Sequence, residues 1–247
     1  MSSTALIALF SLIAAGATLA GGVVATLPGR LGHRRLSLII AFGAGYILAA
    51  ALVSLLPESL ELVASAPLWI LGGYAIAHLC EHTFTSHFHF GEETHTEHFA
   101  SPGVGISALV GLSLHAFFDG VAISSGFLVT PALGVLIALA VVLHKVPEGV
   151  TIASLMLAAG RTKTRARQAA ALLAVATVVG AMCMSFLGEE LKGIGLALSC
   201  GIALYVAATD LMPEINQHPE GRYSLSALTG VLLYFGVHTI MGRLGLH

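Results

Sequence analysis

Residues 115–125 read His-Ala-Phe-Phe-Asp-Gly-Val-Ala-Ile-Ser-Ser, and residues 144–154 read His-Lys-Val-Pro-Glu-Gly-Val-Thr-Ile-Ala-Ser. Both contain His-x-x-x-[Asp/Glu]-Gly-Val-x-Ile, and both lie within long apolar runs. A four-residue step nearly closes one α-helical turn, so each His shares a face with its carboxylate. Two imidazoles and two carboxylates would then converge where polar groups are strongly penalised, which points to a bound divalent cation. Either His alone reads as a hydrogen-bonded packing residue. A nine-position pattern repeated on adjacent apolar segments does not.

Around these stretches the chain has 247 residues, 56% hydrophobic and 10% charged, with a mean hydropathy of +0.90. A soluble domain of this length carries about 25% charged residues. The composition therefore specifies an integral membrane protein and excludes a soluble one. Abundant glycine (28 residues) and a 7% aromatic share fit close helix packing in lipid better than a β-barrel. Cys80, Cys183 and Cys200 are odd in number, lack CxxC spacing and fall in or beside apolar runs, so they read as packing residues. Thr4–Leu27 is uncharged with no basic segment before it, which predicts a retained first helix.

Eight spans follow, at about 4–27, 36–57, 66–84, 103–127, 131–159, 168–188, 192–212 and 223–244, forming one transmembrane domain over 1–247. In this arrangement Arg30, Arg34, Arg35, Arg161, Lys163, Arg165, Arg167 and Arg222 share one side, against Lys192 and Arg243 on the other. The positive-inside rule then places both termini outside. The outer connections hold Glu58, Glu61, Glu189 and Glu190, read as solvated caps or as an acidic vestibule that concentrates cations. The inner 3–4 connection, at about 82–100, is rich in His82, His87, His89, His95 and His98, with four Glu from Glu81 to His98 and no Lys or Arg. Such a tract is either a weak metal-binding loop or simply a polar one. His78 precedes His82 by one helical turn, which favours a defined site there.

His115, Asp119, His144 and Glu148 are the candidate ligands, on spans joined by a short connection containing Pro131. An unpaired carboxylate at the bilayer centre costs roughly 2.5–3.5 kcal/mol on insertion scales, so both acids need a partner. Pro147 removes a backbone donor beside Glu148 and is expected to kink or loosen the fifth helix. Gly120 and Gly149 follow the acids and allow close helix approach. Lys145 points about 100° away from His144, and its depth favours facing the site over snorkelling.

The paired motifs resemble the fourth- and fifth-helix signatures of the ZIP (Zrt/Irt-like) family of divalent-metal transporters, and the eight spans and the loop agree. Leu204-Tyr205-Val206 and Asp210-Leu211-Met212-Pro213-Glu214 are similar to that family's seventh helix, so the resemblance covers essentially the whole chain. It implies a ZIP-like bundle with the metal site between helices 4 and 5. It also implies metal movement toward the cytoplasm, outside termini and an inside His-rich loop. A homodimer is implied as well, with helices 1, 4, 5 and 6 moving against 2, 3, 7 and 8. Carried over by position, His115, Asp119, His144 and Glu148 correspond to primary transport-site ligands. Ala116 stands where many members have Asn, and Lys145 where many have an acid, at positions that bring a second metal in two-metal members. A single metal is therefore expected here, with the Lys145 ammonium where the second cation would be. Phe118 replaces the usual proline of the first motif, implying a less bent fourth helix.

These readings predict an all-α transporter of the cell (inner) membrane, not an enzyme. It would pass Zn²⁺, with Fe²⁺, Mn²⁺ and Cd²⁺ as further substrates, through a midplane site by alternating access. Its partners would be metal ions, the bilayer and a second copy. Neither nucleic acid nor nucleotide is expected, because GxxxxGK[ST] is absent. The competing reading is a membrane-embedded zinc hydrolase, with His78, His238 or Asp210 completing the metal site and Ser113 or Ser124 assisting. A metal-responsive receptor built on the His-rich loop is a third.

Overall fold

The computed structural model describes residues 2–27, 33–84, 102–187, 191–212 and 221–243, and the described residues are helical apart from short caps and turns. We label the helices α1 (Ser3–Thr26), α2 (His33–Ala50), α3 (Ala66–Phe84), α4 (Pro102–Val129), α5 (Pro131–Ala158), α6 (Lys163–Leu187), α7 (Lys192–Tyr205) and α8 (Gly221–Arg243). Seven are long and apolar enough to cross a bilayer; α3 carries a shorter apolar stretch, Ala66–Leu79. This is an all-helical membrane protein.

Most span limits fall close to the expected ones, and the two larger differences have local causes. α6 starts at Lys163 rather than near 168 because Thr162 caps it, its Oγ1 accepting from the Arg165 N–H at 3.3 Å. The helix thus begins in the basic connection, before the apolar run that hydropathy detects. α2 widens into a π turn over Ala51–Leu55 and finishes as a short helix, Leu56–Leu62. α7 widens likewise over Val206–Leu211. Each widened turn ends two residues before a proline, Pro57 or Pro213. A proline inside a helix lacks a donor and crowds the carbonyl four residues back, and a π turn relieves both problems. Pro147, by contrast, is carried within the continuous α5.

Four helix pairs meet by one rule. A Cβ built on Gly149 would stand 2.1 Å from Thr18 O, and one on Gly21 would stand 2.1 Å from Val146 O, so α1 and α5 touch backbone to backbone. Gly120 and Gly180 join α4 to α6, Gly45 and Gly230 join α2 to α8, and Gly73 and Gly201 join α3 to α7. In every case the close atom is the carbonyl three residues before the partner glycine. Only glycine permits this approach, which in lipid replaces the missing hydrophobic drive with dense van der Waals contact.

The pairs assemble into two groups. α1, α4, α5 and α6 pack on one another, while the α2–α8 and α3–α7 pairs meet through the widened turns. The groups touch where α4 lies on α7 and α5 on α2. That seam positions the site.

Candidate metal centre

The two motif helices are held as antiparallel neighbours by a single-residue joint. Thr130 is extended and accepts from the Leu133 N–H at 3.1 Å, with Pro131 starting α5. A proline suits the first helical turn, where its missing donor is not needed. α5 ends in a Schellman turn: Arg161 N–H bonds Met156 O, and Gly160 takes a φ of +72°. Gly120 and Gly149, each following a motif acid, are the crossing glycines to α6 and α1. The same residues that repeat in sequence therefore anchor both helices at the depth of their acids.

His115, Asp119, His144 and Glu148 converge, each offering a ligand atom within 4.8 Å of the others. Asp119 Oδ2 is the hub. His144 Nε2 lies 3.1 Å from it, His115 Nε2 3.3 Å and Lys145 Nζ 2.7 Å, and Lys145 Nζ also hydrogen-bonds Glu148 Oε2. Lys145 and Glu148 are wholly buried, and Asp119 is 8% exposed.

The hydrogen-bond roles constrain the histidines. His144 Nδ1 sits 2.9 Å from Ala140 O. A carbonyl can only accept, so Nδ1 donates to it, which leaves Nε2, 3.1 Å from Asp119 Oδ2, as the ring atom that a metal would take. His115 Nε2 and Glu148 Oε1 are buried without a hydrogen-bond partner. Imidazole nitrogens and carboxylate oxygens thus face one another beside the Lys145 ammonium, a donor set that suits a cation. Zinc with nitrogen and oxygen ligands at about 2.0–2.2 Å would bring them roughly 3.3 Å apart in a tetrahedron. The two His–Asp distances already match, and the widest separation needs only a modest closure.

Two small cavities flank the cluster. The larger, about 30 Å³, reaches His115, Asp119 and His144 from the side of Leu55, between α2, α4, α5 and α7. The smaller, about 10 Å³, reaches His115 and His144 from the side of Ile39, Gly43 and Pro147. Both are walled almost entirely by apolar side chains, from α2 and α7 as well as the motif helices. Those α2 and α7 residues carry no sequence mark of a site, since they read as ordinary apolar helix. Leu143 O, which loses its usual donor at Pro147, lies near Gly43 of α2 on the smaller cavity's side.

The other expected residues fall elsewhere. His78 is exposed on α3, its ring 5.8 Å from that of Tyr205, and His238 stands 5.7 Å from Tyr234; neither is among the clustered ligands. Ser113 Oγ and Ser124 Oγ are buried without a hydrogen-bond partner. Glu58 is half-buried and Glu61 exposed at the end of the Leu56–Leu62 helix. Glu189, Glu190, His87, His89, His95 and His98 lie outside the described residues, as do the side chains of His82 and Asp210.

The family model described as "ZIP Zinc transporter" matches residues 92–242, a stretch that includes both motifs. No curated protein matches the chain.

Proposed function

Because the chain belongs to the ZIP zinc transporter family, and is therefore a divalent-metal transporter set in a membrane, we propose that it carries Zn²⁺ toward the cytoplasm through the His115, Asp119, His144 and Glu148 cluster. Fe²⁺, Mn²⁺ and Cd²⁺ are further substrates compatible with nitrogen and oxygen donors. The observation that carries this reading is the convergence of four ligand residues at a seam between two helix groups, with His115 Nε2 and Glu148 Oε1 buried without a hydrogen-bond partner.

In this reading the whole chain is one transport domain, with both termini outside and the Glu58 end of α2 facing the external medium. Glu58, Glu61, Glu189 and Glu190 gather cations there. An ion sheds water in the larger cavity and takes the Nε2 lone pairs of His144 and His115 together with Asp119. Ala140 O holds the His144 ring at the orientation that aims Nε2 inward. The α1, α4, α5 and α6 group then shifts against the other four helices, transferring the site to the smaller cavity. From there the ion leaves toward the His-rich loop at about 82–100. One ion binds at a time, since Lys145 brings an ammonium rather than a further ligand to Asp119. A homodimer in the cell (inner) membrane is the proposed assembly.

Radioactive zinc uptake into proteoliposomes tests this reading, with wild type compared to a His144→Ala, Glu148→Ala double variant at equal reconstitution. Saturable uptake by the wild type and its loss in the variant are expected. Stoichiometric zinc binding without wild-type uptake would overturn transport in favour of a sensor or hydrolase.

A further inference from the structure

We propose that the Lys145 ammonium is a tethered occupant of the Asp119–Glu148 carboxylate pair, exchanged for the incoming ion, whose return allows the empty protein to change sides. The inference rests on the transport reading above.

Three observations carry it. Lys145 Nζ contacts both carboxylates at once, at 2.7 Å from Asp119 Oδ2 and in a hydrogen bond with Glu148 Oε2. Lys145 and Glu148 are both fully buried, so no water neutralises either. Finally, the larger cavity is lined by His115, Asp119 and His144 and the smaller by His115 and His144, and neither is lined by Lys145 or Glu148. An ion arriving through the larger cavity therefore meets three ligands first. It gains Glu148 as the fourth only when the ammonium lets go.

The electrostatics make the two occupants competitors. A divalent ion on Asp119 Oδ2 would lie within a few ångströms of the ammonium, at low dielectric, where like charges repel strongly. Lysine's four-carbon stem lets the ammonium swing aside while staying charged, so no proton need leave. After the ion departs, two carboxylates are left in an apolar interior, a state that burial strongly disfavours. Rebinding of the ammonium restores a paired cluster that the moving helices can carry back across the apolar seam. Lys145 is thus a positioning residue for the return step and never a ligand of the ion.

This separates two transport modes. Net uptake needs the empty protein to return; exchange of labelled for unlabelled zinc returns with the site filled and does not. The test compares wild type with Lys145→Met and Lys145→Arg in proteoliposomes, either empty or preloaded with unlabelled Zn²⁺. Lys145→Met is expected to lose net uptake by roughly tenfold or more while exchange persists. Lys145→Arg, which keeps the charge, should recover part of the net rate. Net uptake and exchange falling together in a Lys145→Met protein that still binds zinc, or neither falling, overturns the proposal.

If Lys145→Met does not fold, the wild type gives a second measurement. The chain has three lysines, Lys145, Lys163 and Lys192, so a spectrum of ¹⁵N-lysine ammonium groups is sparse. Zinc should abolish the solvent protection of the Lys145 signal; a signal left protected in the zinc-loaded protein overturns the proposal. Absence of both net uptake and exchange in the wild type would instead remove the transport reading itself.

Discussion

Asp119 Oδ2 is the one oxygen on which His115, His144 and Lys145 all converge. Replacing it by an amide removes the hub while keeping its shape, and it presents a neutral group to the Lys145 ammonium. Asp119→Asn is expected to weaken zinc binding by at least about 100-fold, beyond the 10–100-fold typical of changes to groups that merely support a ligand. Calorimetric titration of the detergent-solubilised protein measures it, and near-wild-type affinity would exclude Asp119 from the site. Most of this cluster was legible in the sequence, because ligands four residues apart on one helix need only that helix to share a face. The double contact of Lys145 was harder to see. Its depth favoured facing the site despite the angle from His144, and the three-residue step to Glu148 is what places those two together. That spacing was the available signal.

At the scale of the elements, the eight crossing glycines set how closely the helices approach. Gly149→Ala would press a methyl group against Thr18 O, and Gly120→Ala against Thr177 O, with backbone on the receiving side and nothing able to rotate away. Each should destabilise by about 1–3 kcal/mol or more and splay a motif helix from its partner. Gly16→Ala on α1 meets nothing within 4 Å and should be neutral or stabilising by up to about 1 kcal/mol through helix propensity. Thermal unfolding of the three variants in one detergent checks the contrast; equal behaviour would refute the crossing role. The span limits were readable from hydropathy, since apolar length is a property of one segment. Of the 28 glycines, Gly120 and Gly149 were read as points of close approach; the other six crossing glycines were not, because they depend on the helix opposite. The π turns of α2 and α7 escaped for a similar reason: a proline announces that the helix must adjust, but not whether it widens, bends or ends.

For the whole molecule, the distribution of contacts divides the helices into the two groups that the proposed mechanism moves against each other. Within each group, glycine crossings join the helices in pairs; between groups, α4 meets α7 through contacts that include Ser199 Oγ donating to Phe118 O at 3.5 Å. A disulfide across that seam should arrest transport. We expect Phe118→Cys, Ser199→Cys, in a background lacking Cys80, Cys183 and Cys200, to lose uptake on oxidation and regain it on reduction. Tyr74→Cys, Thr209→Cys, a pair that joins α3 to the widened end of α7 within one group, should not respond. Equal uptake before and after a verified seam cross-link would mean that the groups do not shift. Two-group packing was not legible from the residues alone, since helices 1 and 6 reach the motif helices only through folding.

The larger cavity beside the cluster, at about 30 Å³, has room for two or three water molecules at about 10–15 Å³ each, fewer than an ion's full shell. An aqua ion cannot enter it whole. On the proposed pathway, passage becomes a substitution reaction, in which imidazole and carboxylate replace coordinated water one ligand at a time, and an ion's tempo of water loss matters as much as its affinity. Magnesium holds its octahedral shell of about six waters reluctantly released, so even a large excess would be refused at the threshold by its own hydration.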